Sequence, residues 1–127
     1  MIGTLINKLK SDFEGYSVRG GISFDDDTIK KALTTSNKML FVNYVSNQTR
    51  GYYTNSDYQD FHILEIIIKA DNDILTILET LKSNLQGYEF EFANQTWVVV
   101  FGGAVPMEAK LYDDREIKTF ATTWSIM

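Results

Sequence analysis

The stretch Phe61 to Gly87, FHILEIIIKADNDILTILETLKSNLQG, constrains this chain more than any other. It joins a long apolar strand to one amphipathic helix through a tight turn and ends on a glycine. Leu64, Ile66 and Ile68 alternate with Ile63, Glu65 and Ile67 at the two-residue period of a strand. After Ala70 the period changes. Ile74, Leu75, Ile77, Leu78, Leu81 and Leu85 form a wide stripe at helical spacing. Asp71 stands where a helix N-cap belongs, and Gly87 supplies a left-handed stop. A strand followed directly by a helix that must cover it predicts a layered domain of mixed class.

The flanks agree. Ile2, Leu5, Ile6, Leu9 and Phe13 recur at helical spacing, with Gly15 after them, and predict a first helix near 2–14. The second falls near 72–86. Tyr16 to Phe24 reads as a short strand or loop around Gly20-Gly21. Asp25-Asp26-Asp27-Thr28 resembles the start of a short additional helix, with Ile29, Ala32 and Leu33 as its buried side. MLFVNYVS, residues 39–46, reads as a strand, and Asn47 to Asp57 as a polar loop or hairpin arm carrying Arg50, Tyr52 and Tyr53. Tyr58 to Ala70 is the returning strand. Tyr88, Phe90 and Phe92 alternate with Glu89 and Glu91, Asn94-Gln95 turns the chain, and WVVVF, residues 97–101, follows. Gly102-Gly103 and Pro106 break that run, the glycine pair marking a bulge or bend at the end of the strand. Met107 to Tyr112 and Glu116 to Ile126 read as a last hairpin turning at Asp113-Asp114. The expectation is one domain, 1–127, of α+β class: a predominantly antiparallel sheet backed by two main helices.

Composition narrows the chemistry. A chain of 127 residues with 44% hydrophobic residues can bury a core of its own. The balance of 12 basic to 17 acidic residues, −5 at pH 7, argues against nonspecific nucleic-acid binding. There is no cysteine and a single histidine, His62, so thiolate and multi-histidine metal sites within one chain are excluded. Met1 to Phe13 spaces its apolar residues around Lys8 and Lys10, unlike a secretion signal, and no window matches a membrane span. The expected setting is the cytoplasm, or a particle assembled there.

No catalytic constellation is visible. Asp25-Asp26-Asp27, Asp71 with Asp73, and Asp113-Asp114 fall at turns and helix starts, where capping explains aspartate, and none has the spaced oxygens of a calcium loop. His62 lies among apolar strand neighbours, without the nucleophile and acid that a catalytic base requires. Neither glycine pair belongs to a phosphate-binding motif, although Gly20-Gly21 after Arg19 is a weak candidate. The expectation is no enzyme activity, no cofactor and no metal. The strand 58–70 is instead apolar on both sides. Phe61, Ile63 and Ile67 oppose the helix-facing row and need cover from the chain itself or from a neighbouring subunit. With Arg50, Tyr52 and Tyr53 they form a candidate subunit interface, since arginine and tyrosine are common interface anchors.

The order of elements resembles the tail-terminator, or tail-completion, proteins of long-tailed bacteriophages and prophages. The segments that carry the resemblance are IGTLINKLKSDF, MLFVNYVS, the arm from Asn47, YQDFHILEIIIKA, ILTILETLKSNLQG and REIKTFATTWSIM. It covers nearly the whole chain in order, length and hydrophobic pattern, while Gly20 to Asn37 has no clear counterpart. The resemblance implies a non-enzymatic virion tail subunit assembled in the host cytoplasm. It implies a hexameric ring whose subunit can be monomeric when free. Its partners would be further copies of itself, the tail tube protein and a head-completion protein, with DNA passing through the channel without specific binding and no membrane involved. Two alternatives stay open from the residues: another head–tail connector or neck protein, and a small non-enzymatic ligand-binding module.

Overall fold

The computed structural model describes residues 1–22, 38–51, 58–70, 74–107 and 118–127. Two helices and six strands alternate through them: α1 (Ile2–Asp12), β1 (Ser17–Ile22), β2 (Met39–Gly51), β3 (Tyr58–Ala70), α2 (Ile74–Leu85), β4 (Glu89–Phe92), β5 (Gln95–Met107) and β6 (Lys118–Ile126). The strands form one sheet in the order β1-β2-β3-β6-β5-β4. β1 runs parallel to β2 and every other pair is antiparallel. The class is α+β, dominated by sheet, as the sequence leads one to expect.

Both helices lie on the same side of the sheet. Leu5 and Leu9 of α1, and Ile74, Leu78, Leu81 and Leu85 of α2, join one buried cluster with Leu40, Val42, Leu64, Ile66, Ile68, Val99, Trp124 and Ile126. The even-numbered residues of β3 and β6 supply this face because strand side chains alternate. Within it the Trp124 indole donates to Thr122 Oγ1 at 2.8 Å, and Thr122 Oγ1 donates to the Ile66 carbonyl at 2.6 Å. Two polar side chains are thereby paired at the centre of an apolar layer, as buried donors must be. The α2 stripe ends where expected: Gly87 has φ +76, and its N–H reaches the Val99 carbonyl at 2.8 Å. That bond ties the helix end to the sheet.

Gly20 and Gly21 sit inside β1, paired with Val42 and Asn43, not in a loop leading to a helix. The phosphate-cradle reading of this pair falls with that placement. The reason for glycine at 20 is steric. A Cβ there would lie 2.7 Å from the Val42 carbonyl oxygen and 2.8 Å from Ile6 Cδ1. α1 rests directly on bare backbone. Gly20→Ala is expected to cost about 1–3 kcal/mol through overpacking; a urea midpoint equal to the parent's would show that α1 can lift without penalty.

Of the two readings open for the segment from Asn47, the hairpin arm is the one observed: Asn47 to Gly51 is the outer half of β2, paired with Tyr58 to His62. The bulge expected at Gly102-Gly103 is present, but neither it nor Pro106 ends the fifth strand. β5 passes through them to Met107, absorbing Gly102 as a bulge where a Cβ would meet the Thr123 carbonyl oxygen at 3.0 Å. The final hairpin partner of β6 is therefore β5 itself, with Met107 opposite Thr119. The possible helix after Asp25, the Asp71 cap and the Asp113-Asp114 turn lie outside the described residues.

The β4–β5 turn is Ala93-Asn94, both with positive φ, at +53 and +61. Phe92 pairs with Gln95 across it, so it is a two-residue hairpin loop of the type that suits the twist of a sheet. Alanine is poorly suited to its first position because its Cβ crowds the backbone in the left-handed region. Ala93→Gly is expected to raise stability by about 0.5–1 kcal/mol, the relief of strain exceeding the extra entropy of the unfolded chain. Thermal unfolding would check the sign.

Candidate assembly surface

The side of the sheet away from the helices is laid out in rows across the strands. The registers of β2, β3, β6 and β5 align Phe41, Ile67, Ala121 and Val105 in one row and Met39, Lys69 and Thr119 in the next. Met39, Phe41 and Ile67 form a second buried cluster. Ile67 is 1% exposed within the single chain. Of the two covers that the strand pattern allows, the chain's own is the one observed at Ile67, whereas Val105 at the β5 end of the same row is 63% exposed. Lys69 is buried beside Ile67, and that burial lowers the pKa of its ammonium from the ordinary lysine value.

The next row, Asn43, Glu65, Thr123 and Gly103, is polar. Beyond it lies a second apolar zone at the other end of the face. Ser46, Ile63, Ser125 and Val100 are aligned there. Phe61 pairs with Gln48, and Val98 pairs with both Glu89 and Met127. Because His62 faces Ile126, one further step sets Met127 beside Phe61. Phe61, Ile63, Val98 and Val100 are half-buried, and Met127 is 41% exposed. Polar and acidic groups fence this zone: the row through Glu65 on one side, and exposed Glu89 and Glu91 on the β4 edge.

The β2–β3 hairpin continues past this zone. Among the described residues β1 pairs with β2 as far as Tyr44, and β6 pairs with β3 as far as His62. From Gln48 to Gly51 and from Tyr58 to Phe61 the two strands pair with each other alone among the described residues. The arm is thus a two-stranded ribbon, with Arg50 opposite Gln59. Its root carries a bulge between Tyr44 and Ser46, where Val45 is 47% exposed. Tyr52 and Tyr53 lie outside the described residues.

The helix side of the ribbon root holds His62. Tyr44 Oη and His62 Nδ1 lie 2.5 Å apart, and the imidazole meets the Trp97 ring edge-on with centroids 5.0 Å apart. The Trp97 indole in turn donates to the Phe92 carbonyl at 3.1 Å. Burial raises the Tyr44 pKa, which keeps the hydroxyl protonated at neutral pH. The group braces the ribbon root against the β4–β5 hairpin. Among the described residues no set of three or more acidic or histidine side chains is placed to hold a metal ion, and no helix is long and apolar enough to cross a membrane.

Of the six residues singled out from sequence, the structure brings Phe61 and Ile63 together on the arm-end zone, sets Arg50 on the adjoining ribbon and moves Ile67 into the intrachain cluster. Val98, Val100 and Met127 were missed. Their membership follows from register across β5, β6 and β3, which connects positions more than thirty residues apart in the chain. No known family model matches the sequence, and no curated protein matches it well enough to count as a relative.

Proposed function

We propose that this chain is a non-enzymatic structural subunit of a bacteriophage or prophage tail, which caps the tail tube, ends its polymerisation and presents the surface to which the head joins. The observation that carries the reading is the β2–β3 ribbon, which leaves the sheet beside a half-exposed apolar zone. The order of elements, helix, strands, arm, strand, helix and strands, supports it, as does the resemblance noted above. The mechanism is geometric. Copies arranged in a ring on the last ring of the tube leave no site for another tube subunit, and the opposite face of the ring receives the head-completion protein. A net charge of −5 suits a ring whose channel DNA must pass without adhering.

The experiment is electron microscopy of tails assembled with and without the protein. Overlong tails that fail to join heads in its absence are the expected result. Tails of normal length that join heads equally well would refute the reading. Tails of normal length that fail only at joining would move the protein to a neck or connector role.

A further inference from the structure

The arm-end zone has an apolar floor and an acidic rim. Phe61, Met127 and Val98 lie in one row across the sheet, and Ile63, Ser125 and Val100 in the next. Glu89 is the cross-strand partner of Val98 and Glu91 that of Thr96, so both carboxylates stand on this face, and both are exposed. Glu65 stands on the same face, in the row beyond Ile63. No position in these rows on β3, β6, β5 or β4 is a lysine or arginine. The ribbon places Arg50 and Asp60 at neighbouring registers and adds no net charge. The electrostatic complement of such a surface is a set of apolar side chains carried between basic ones. A second copy of this chain is a poor occupant. Turned face to face about a two-fold axis it sets acidic rim against acidic rim, and each copy carries −5.

The form of the occupant follows from the shape. The zone is the face of a sheet, with β6 between β3 and β5 and with β4 beyond them. A lone extended segment laid on a face leaves its own N–H and C=O groups without partners. A helix satisfies them internally. β3 and β5 are two strand spacings apart, about 10 Å, close to the roughly 10–12 Å width of a helix with its side chains.

We propose that the arm-end zone receives a basic amphipathic helix of another protein. Its apolar stripe rests on Ile63, Val98, Val100 and Met127, and its flanking lysines or arginines meet Glu89 and Glu91. The inference rests on the tail reading only in placing that protein beside this one in a tail or neck; the chemistry of the contact comes from the face itself.

The probe is a fluorescein-labelled synthetic helix of about three heptads, long enough to be helical in water, with leucine along one stripe and lysine on both sides of it. It is titrated with the full chain at physiological ionic strength and followed by anisotropy. Saturable binding of one helix per chain is expected. Glu89→Gln with Glu91→Gln is expected to weaken it at least roughly tenfold, and Val98→Thr with Val100→Thr to do the same by removing the apolar floor. Glu14→Gln with Glu79→Gln takes the same charge from the end of α1 and from α2, and is expected to leave binding unchanged. Circular dichroism checks that each variant is folded, and the two carboxamide pairs, at exposed positions, decide the question even if the threonine pair fails to fold. No saturation with the parent chain, a glutamate-for-lysine version of the helix that binds as tightly, or equal weakening by the two carboxamide pairs would each overturn the contact. So would a folded threonine pair that binds like the parent. A parent dimer in sedimentation velocity that the threonine pair dissociates would also overturn it, since a second copy would then be the occupant. Tail assembly separates this inference from the one it rests on. If the helix binds as described while tails form normally without the protein, the contact stands and the terminator reading falls. If tails are overlong and headless without the protein but the helix does not bind, the terminator reading stands and the contact falls.

Discussion

Trp124→Ala is expected to lower unfolding stability by about 3–5 kcal/mol, the usual range for removing a buried aromatic side chain. Trp124 is fully buried, in edge-on contact with Phe101 at 5.0 Å between ring centroids. It pairs with Leu64 on one side and Phe101 on the other, in the middle of the sheet. The substitution removes a ring whose space the neighbouring strands cannot fill. It also takes away the donor that Thr122 Oγ1 accepts from, although that hydroxyl keeps its bond to Ile66. Trp124→Phe separates the two effects. It retains most of the packing and loses only the indole hydrogen bond, a difference of roughly 1 kcal/mol. Denaturant titration of the three proteins measures both steps. A Trp124→Ala midpoint close to the parent's would mean that the central strands do not pack on this ring.

Leu81→Ala is expected to cost about 2–5 kcal/mol by the same cavity argument. Leu81 has no exposed surface and sits with Leu78 and Leu85 on the buried stripe of α2. Leu75 provides the internal comparison. It belongs to the same apolar stripe in the sequence, yet it is largely exposed, so Leu75→Ala is expected to change stability by less than about 0.5 kcal/mol. Equal losses at 75 and 81 would show that the helix is rotated from the orientation described.

The comparison of Leu75 with Leu81 also shows what was legible in the sequence. Periodicity located α2, and the terminal glycine placed its end within two residues, but six apolar positions make a stripe wider than the sheet beneath can cover. The outer residue of that stripe is therefore left in solvent. β3 was legible because Phe61, Ile63, Leu64 and Ile66 to Ile68 crowd apolar and β-branched residues along it. β5 was not. The two glycines announce a bulge, but with a proline after them they also look like termination, and only the pairing with β6 carries the ladder past them. The ribbon was hidden for a related reason. Asn47 to Gly51 is polar, and a polar strand without alternation is hard to distinguish from a loop. The assembly surface was half legible. Phe61 and Ile63 are marked by the excess of apolar residues on their strand, whereas Val98, Val100 and Met127 join them only through strand register. Ile67 shares the pattern of Phe61 and Ile63 and nothing local distinguishes it. The polar row through Glu65, which parts the two apolar zones, decides its place.

The bulge at Val45 has a further geometric consequence. An extra residue in one strand bends that strand and increases its twist while leaving the pairs on either side in register. The direction in which the ribbon departs is thus set at a single position, upstream of every residue that would touch a neighbour. Deleting Val45 would preserve each pair from Ser46–Ile63 outwards and change only the heading of the ribbon. In an assembly that repeats one contact about an axis, a small change of heading is added once per copy. Were the ribbon part of such a repeated contact, a few degrees at this one joint would separate a circle that closes from a spiral that does not.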